Sequence, residues 1–176
     1  LRVLRDPEEG MANEDWLRDT QRLGHFLHAI IESDLKGKPH VVKPLADFLP
    51  QCQSLTTAYG SWKRERGADV APLAIEQPVI SPLYGYGATP DLIEDGRITD
   101  WKTTYRIKEK HWIQLHAEVP LWFAEIDWPR VVLRVVRFDR DLGIYEQQER
   151  YFVRKVWDTF MKLKDVYLDW YGAELQ

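Results

Sequence analysis

The stretch Pro90-Asp91-Leu92-Ile93-Glu94-Asp95-Gly96-Arg97-Ile98-Thr99-Asp100-Trp101-Lys102 decides how this chain is read. From Leu73 onward the apolar residues recur with period two, and Asp-Gly between two such runs marks a tight hairpin. A two-residue turn fixes the register: Glu94 faces Arg97, Ile93 faces Ile98, Leu92 faces Thr99 and Asp91 faces Asp100. Side chains alternate along a strand, so Lys102 shares the face of Asp100 and Asp91. Carboxylates at cross-strand distance repel each other, and on a face that also carries Ile93 and Ile98 neither is readily hydrated. A divalent cation between them offsets that cost, because hard oxygen ligands suit Mg2+ and a nearby lysine reaches the same phosphate or water. The competing reading is a solvated edge hairpin with a surface salt bridge.

Working outward, the period-two rhythm predicts strands at Ala74 to Ser81, Tyr86 to Glu94 and Arg97 to Thr104, a sequential antiparallel meander. Upstream, Leu17, Leu23, Leu27, Ile30, Ile31 and Leu35 keep helical spacing over Asp15 to Lys36, until Gly37 and Pro39 break it. The prolines between Val41 and Gln53 predict irregular chain, and Leu55 to Arg66 a second helix ending before Gly67. Downstream, Ile107 to Ile126 reads as a helix kinked or divided at Pro120, and Val131 to Phe138 as a strand covered on both faces. Ile144 to Phe152 reads as a further strand, followed by a terminal helix over Val153 to Tyr171 with Val156, Trp157, Phe160, Leu163 and Tyr167 inward. A helix between strand groups predicts an α/β (α+β) fold: one domain over 1–176, core about 15–171, with a mixed central sheet of about five strands flanked by helices.

Composition narrows the chemistry. Cys52 is the only cysteine, which excludes an internal disulfide, a cysteine-ligated iron–sulfur cluster and a thiolate zinc site, and fits a reducing compartment. No apolar run of about 18 residues occurs, and Leu1-Arg-Val-Leu-Arg leads into acidic residues, so a soluble, cytoplasmic protein without membrane contact is expected. A net charge of −4 argues against a protein that coats nucleic acid, yet it allows a local basic groove beside an acidic centre.

Pro90-Asp91 followed by Asp100-Trp101-Lys102-Thr103-Thr104 resembles the signature of the PD-(D/E)XK nuclease superfamily. The RecB-like, lambda-exonuclease-like branch is most similar: Gly24, His28 and Glu32 fall at i, i+4 and i+8 of the first helix and match its G-x-x-x-H-x-x-x-E pattern. Gln114-Leu115 matches the start of a third motif, although Glu118 stands where the branch has tyrosine. The resemblance covers most of Gly24 to Glu125. It implies a restriction-endonuclease-like core and a bacterial or phage-encoded, Mg2+- or Mn2+-dependent DNA nuclease with one or two ions. Exonuclease action on single- or double-stranded DNA ends, in recombination, repair or replication, is the expected activity. By carry-over, His28, Asp91, Asp100 and the Trp101 carbonyl hold the metal, Lys102 positions or activates water, and Gln114 orients water or substrate. His25 is a weaker substitute for His28, and Glu32 and Glu76 are candidates to steady a ligand or serve a second ion.

Arg106, Lys108 and Lys110 beyond the lysine strand, the helix-end cluster Lys63, Arg64 and Arg66, and the loop residues Lys36, Lys38, His40 and Lys43 are candidate DNA contacts. Each is equally a solvated charge run. Tyr84, Tyr86 and Trp112 are divided between base stacking and core packing, and His116 and Glu118 between the site and a solvated helical face. Three other readings remain open: a structure-selective or restriction-like endonuclease, a catalytically silent nucleic-acid-binding module of nuclease fold, and a structural interaction domain.

Overall fold

A computed structural model describes residues 14–38, 42–66 and 70–171. His40, the start of the chain and Gly67 lie outside the described residues. The order is α1 (Glu14–Leu35), α2 (Leu49–Arg66), β1 (Ala74–Ile75), β2 (Val79–Ser81), β3 (Tyr86–Ala88), β4 (Leu92–Glu94), β5 (Arg97–Lys102), α3 (Glu109–Trp122), β6 (Val132–Phe138), β7 (Tyr145–Tyr151) and α4 (Arg154–Tyr171). The central sheet has five strands in the order β1-β4-β5-β6-β7. Every pairing is antiparallel except β5–β6, which α3 connects as a parallel crossover. The expected α+β class with a mixed five-stranded sheet flanked by helices is therefore what the chain adopts.

Alternation along the strands gives each face its own core. Leu92, Trp101, Val136 and Phe138 point to the face covered by α1 and α2, where Leu23, Leu27, Ile31, Leu55 and Trp62 are buried. Ile93, Ile98, Leu133 and Val135 point to the opposite face, against Trp112, Leu115 and Val119 of α3, Trp128, and Trp157 of α4. Fully burying one such side chain stabilises by about 1.5–3 kcal/mol, so two apolar layers on one sheet hold the strands firmly.

The β4–β5 register follows the sequence reading, with Glu94 opposite Arg97, Ile93 opposite Ile98 and Leu92 opposite Thr99. Gly96, at φ 65, takes the left-handed position of the turn. The ladder stops one pair short of Asp91 and Asp100. Several expected elements are redrawn. Ala74 to Ser81 is not one strand, because Glu76 turns into the left-handed region and Pro78 follows, leaving β1 in the central sheet and β2 outside it. Tyr86 to Glu94 divides at Thr89-Pro90, where proline cannot donate to a ladder, and β2 and β3 form a separate two-stranded ribbon. Pro50 does not interrupt α2; it sits in the first turn, where a missing N–H is harmless, so the helix starts before the expected Leu55.

Pro120 lies in the last turn of α3, which ends two residues later at Trp122 and passes into a 3-10 turn over Glu125–Arg130. On α4, Trp157, Phe160 and Met161 join the core and Lys164 reaches the Tyr84 carbonyl, so the packed stripe runs beside the expected one and leaves Leu163 and Tyr167 exposed. Tyr84 and Tyr86 pack on Trp157 and Phe160, and Trp112 is buried under the Arg150 guanidinium, so these aromatics are core. No helix among the described residues is long and apolar enough to cross a membrane.

Candidate functional site

The buried stripe Leu23, Leu27 and Ile31 seats α1 on the sheet, and the adjacent stripe Gly24, His28 and Glu32 runs along the edge of that contact. His28 therefore sits half-buried beside the open end of the β4–β5 hairpin. Its Nδ1 lies 2.8 Å from Glu76 Oε1 and 3.6 Å from Asp91 Oδ1, and its Nε2 lies 3.3 Å from the Trp101 carbonyl oxygen. Asp91 has left the strand, and its Oδ2 accepts the Trp101 backbone N–H at 2.6 Å. Trp101 is held by its side chain in the other direction, 5.1 Å ring to ring from Trp62. One residue thus ties the site backbone to the core.

Glu76 reaches His28 because its backbone adopts φ 48, which for a side chain with a Cβ costs about 1–2 kcal/mol. Its N–H donates to the Asp91 carbonyl at 3.1 Å and holds the turn in place. Strain of this kind persists where the surroundings enforce it, often at functional sites. Ligand atoms of His28, Glu76 and Asp91 all lie within 4.8 Å of one another, close enough to share one ion.

A second group adjoins the first on the α3 side. Lys102 Nζ donates to Asp100 Oδ1 at 2.6 Å and lies 3.4 Å from Gln114 Oε1. Gln114 Nε2 donates to Asp100 Oδ1 at 3.2 Å and to Glu118 Oε1 at 2.9 Å. Asp91, Asp100 and Glu118 are all buried. Asp100 Oδ2 is buried without a hydrogen-bond partner among the described residues.

The electrostatics record an excess of acid. Burial pushes the Asp91 carboxyl up to about 7 against the opposing pull of His28, and Asp100 adds to the rise. Burial likewise raises Asp100 despite Lys102, and raises Glu118 to about 8 despite the Gln114 hydrogen bond. Burial alone would lower the His28 imidazole, but the Glu76 hydrogen bond and the Asp91 charge overcome it and push it up to about 9. A protonated imidazole there offsets part of the acid cluster, and a metal ion, which takes the neutral ring, would replace that proton.

His28, Asp91, the Trp101 carbonyl, Asp100, Lys102 and Gln114 are thus brought together as expected. Glu76, named as a candidate to steady a ligand or serve a second ion, lies in direct hydrogen-bond contact with His28. The period-two pattern hid this, since it ran straight through the turn that aims the carboxylate. Glu118 and His116 are buried, not on a solvated face. Glu32 and His25 line a groove of about 500 Å³ alongside His28 and Glu76, with Glu32 paired to Lys36. Arg106, Lys108 and Lys110 lead from β5 into α3 and so run from Lys102 toward Gln114. At the end of α2, Lys63 is paired with Asp34 and Arg64 donates to Ser61; Arg66 is exposed. No known protein-family model matches the chain, and no curated protein sequence matches it.

Proposed function

We propose that this chain is a Mg2+- or Mn2+-dependent nuclease of the PD-(D/E)XK type, related to its RecB-like branch, that hydrolyses phosphodiester bonds at DNA ends. The observation that carries the reading is the convergence of His28, Glu76, Asp91 and the Trp101 carbonyl beside the Asp100–Lys102–Gln114 group. This convergence lies at the carboxyl end of β5 and beside its parallel partner β6, where open α/β sheets place their ligands.

The donor set fits a hard divalent ion. Carboxylate and carbonyl oxygens suit Mg2+, and the imidazole makes Mn2+ acceptable. The unpartnered Asp100 Oδ2 and the raised carboxyls indicate that added positive charge would be stabilised here. His28, Glu76, Asp91 and the Trp101 carbonyl would hold one ion, with Asp100 facing it or a second. Bound there, it supplies Lewis acidity toward water and phosphate oxygen. Lys102, fixed by Asp100, presents an ammonium to the phosphate or to the attacking water, and Gln114 steadies both. Phosphate tracking falls to Arg106, Lys108 and Lys110 at the start of α3.

The test incubates linear, closed-circular and single-stranded DNA with wild type and K102A in Mn2+ and in Mg2+. Linear substrates should shorten from their ends with wild type and survive K102A. If wild type leaves every substrate intact in both metals, the proposal is wrong; cutting of closed circles would assign the site to an endonuclease.

A further inference from the structure

Glu118 is a buried acid to which the reaction above gives no task. It lies on α3 one turn beyond Gln114, and its side chain is 3% exposed. A carboxylate there, near Asp91 and Asp100, is a poor choice for packing alone, since an apolar residue would avoid the desolvation cost. What it touches is the Gln114 amide.

An amide side chain has two ends of similar shape and opposite hydrogen-bonding character, so its neighbours decide which way it faces. An ionised carboxylate only accepts and an ammonium only donates. The amino end of Gln114 meets two acceptors, Glu118 at 2.9 Å and Asp100 at 3.2 Å, and its oxygen meets the Lys102 ammonium at 3.4 Å. A flipped amide would set its amino group against the Lys102 ammonium and its oxygen against the Asp100 carboxylate; at Glu118 only the ionised carboxylate repels it, since the neutral acid that burial favours can donate its O–H to the flipped oxygen. Without Glu118, Asp100 alone would hold the amino end, and Asp100 is already engaged by Lys102 through the same Oδ1.

We propose that Glu118 is a positioning residue: it locks the Gln114 amide so that its carbonyl faces Lys102, and thereby holds the lysine ammonium on Asp100. It acts only through Gln114. Its kinetic consequence rests on the nuclease reading, but the locked amide does not.

Two measurements separate those levels. The first is side-chain amide NMR of Gln114 in the full chain. Wild type should show one sharp pair of NH2 resonances with slow exchange, and E118A should broaden or shift it. E118Q retains an acceptor of the same size and guards against a variant that fails to fold; it should restore the pair only in part. If the Gln114 resonances in E118A and E118Q match wild type, the proposal is overturned whether or not the protein cuts DNA. The second is a double-mutant cycle on cleavage of linear DNA. E118A and Q114A should each lower kcat by about tenfold to hundredfold with KM within about twofold, as loss of an orienting partner does. The double variant should be no worse than Q114A; multiplying losses would show that Glu118 acts independently and sink the idea. If the amide responds while wild type cuts nothing, the nuclease reading falls and the positioning role stands.

Discussion

The two ends of the β4–β5 hairpin both bury charge, and they do it in opposite ways. At the turn end, Glu94 is 3% exposed and Arg134 of β6 is 5% exposed. Arg134 Nη1 donates to Glu94 at 3.3 Å and Nε to Glu149 at 2.9 Å, and Arg97 adds a contact of 3.5 Å on the other Glu94 oxygen. Acids and bases there balance in number, although Arg97 Nε is buried without a hydrogen-bond partner among the described residues. At the open end Asp91, Asp100, Glu118 and Glu76 outnumber Lys102 and His28, one carboxylate oxygen has no partner, and three carboxyls are pushed up by burial. Buried charge that closes on itself is structural. Buried charge left in surplus calls for a ligand from outside.

The largest effect should come from the open end. D91N removes charge from the surplus, so cleavage should fall by about a thousandfold or more while the metal-free protein melts no lower than wild type. Wild type should gain melting temperature on adding Mn2+, and D91N should lose that gain, as calorimetry with and without a chelator would show. Should D91N prove strongly destabilised without metal, the surplus at this end is not real.

Next in size is the turn end. R134M leaves Glu94 buried without its main partner and should cost about 3–5 kcal/mol in urea unfolding, whereas R134M combined with E94Q should recover most of the loss. Neither should alter the stabilisation that Mn2+ gives to the folded protein.

A smaller effect isolates the strain at Glu76. E76G and E76A both remove the carboxylate, but only glycine relieves φ 48, so E76G should be more stable than E76A by about 1 kcal/mol. Equal stabilities would mean that the backbone turn stores nothing.

The smallest involves Asp34, a satisfied acid away from both ends. Lys63 and Tyr59 donate to its two oxygens, and although burial opposes them they hold its carboxyl below the usual range. A folded-state pKa below the unfolded one contributes stability that is present above the unfolded value, near 4, and is lost as pH falls through the folded one. Wild type and D34N should therefore differ by about 0.5–1 kcal/mol at pH 7 and converge in acid, as urea titrations at several pH values would show.

The hairpin was legible in the sequence because its determinants are local: a two-residue turn and strict alternation set the register whatever packs on it. The mixed sheet followed from the placement of α3 between strand groups. The division of Ala74 to Ser81 and of Tyr86 to Glu94 was not legible, since period two is the same in one long strand and in two short ones turned apart. What separates them is the backbone at Glu76 and Thr89-Pro90, set by which sheet each half joins. Of the site, Asp91, Asp100 and Lys102 were readable from the hairpin register, and His28 and Gln114 only through the resemblance. Glu76 and Glu118 were singled out only beside a solvated alternative, because the place of each depends on burial by elements distant in sequence. The exposure of Leu163 and Tyr167 was hidden because the apolar spacing allows neighbouring stripes, and the one that packs runs through Trp157, Phe160, Met161 and Lys164.

The parallel pairing of β5 with β6 also sets an order of events during synthesis. His28 finds Glu76 and Trp101 at separations of 48 and 73 residues, and β6 begins only at Val132. A chain leaving the ribosome exposes the Asp91 to Lys102 hairpin before α3 brings Gln114 and Glu118, and before any strand covers its β5 edge. Until then His28 has only a loose tether to its partners, and loop closure over such distances is slow compared with forming the hairpin itself. On the proposed function, a nascent chain lacks a complete site until β6, ending at Phe138, is free to dock, and metal binding would report that β6 has joined the sheet.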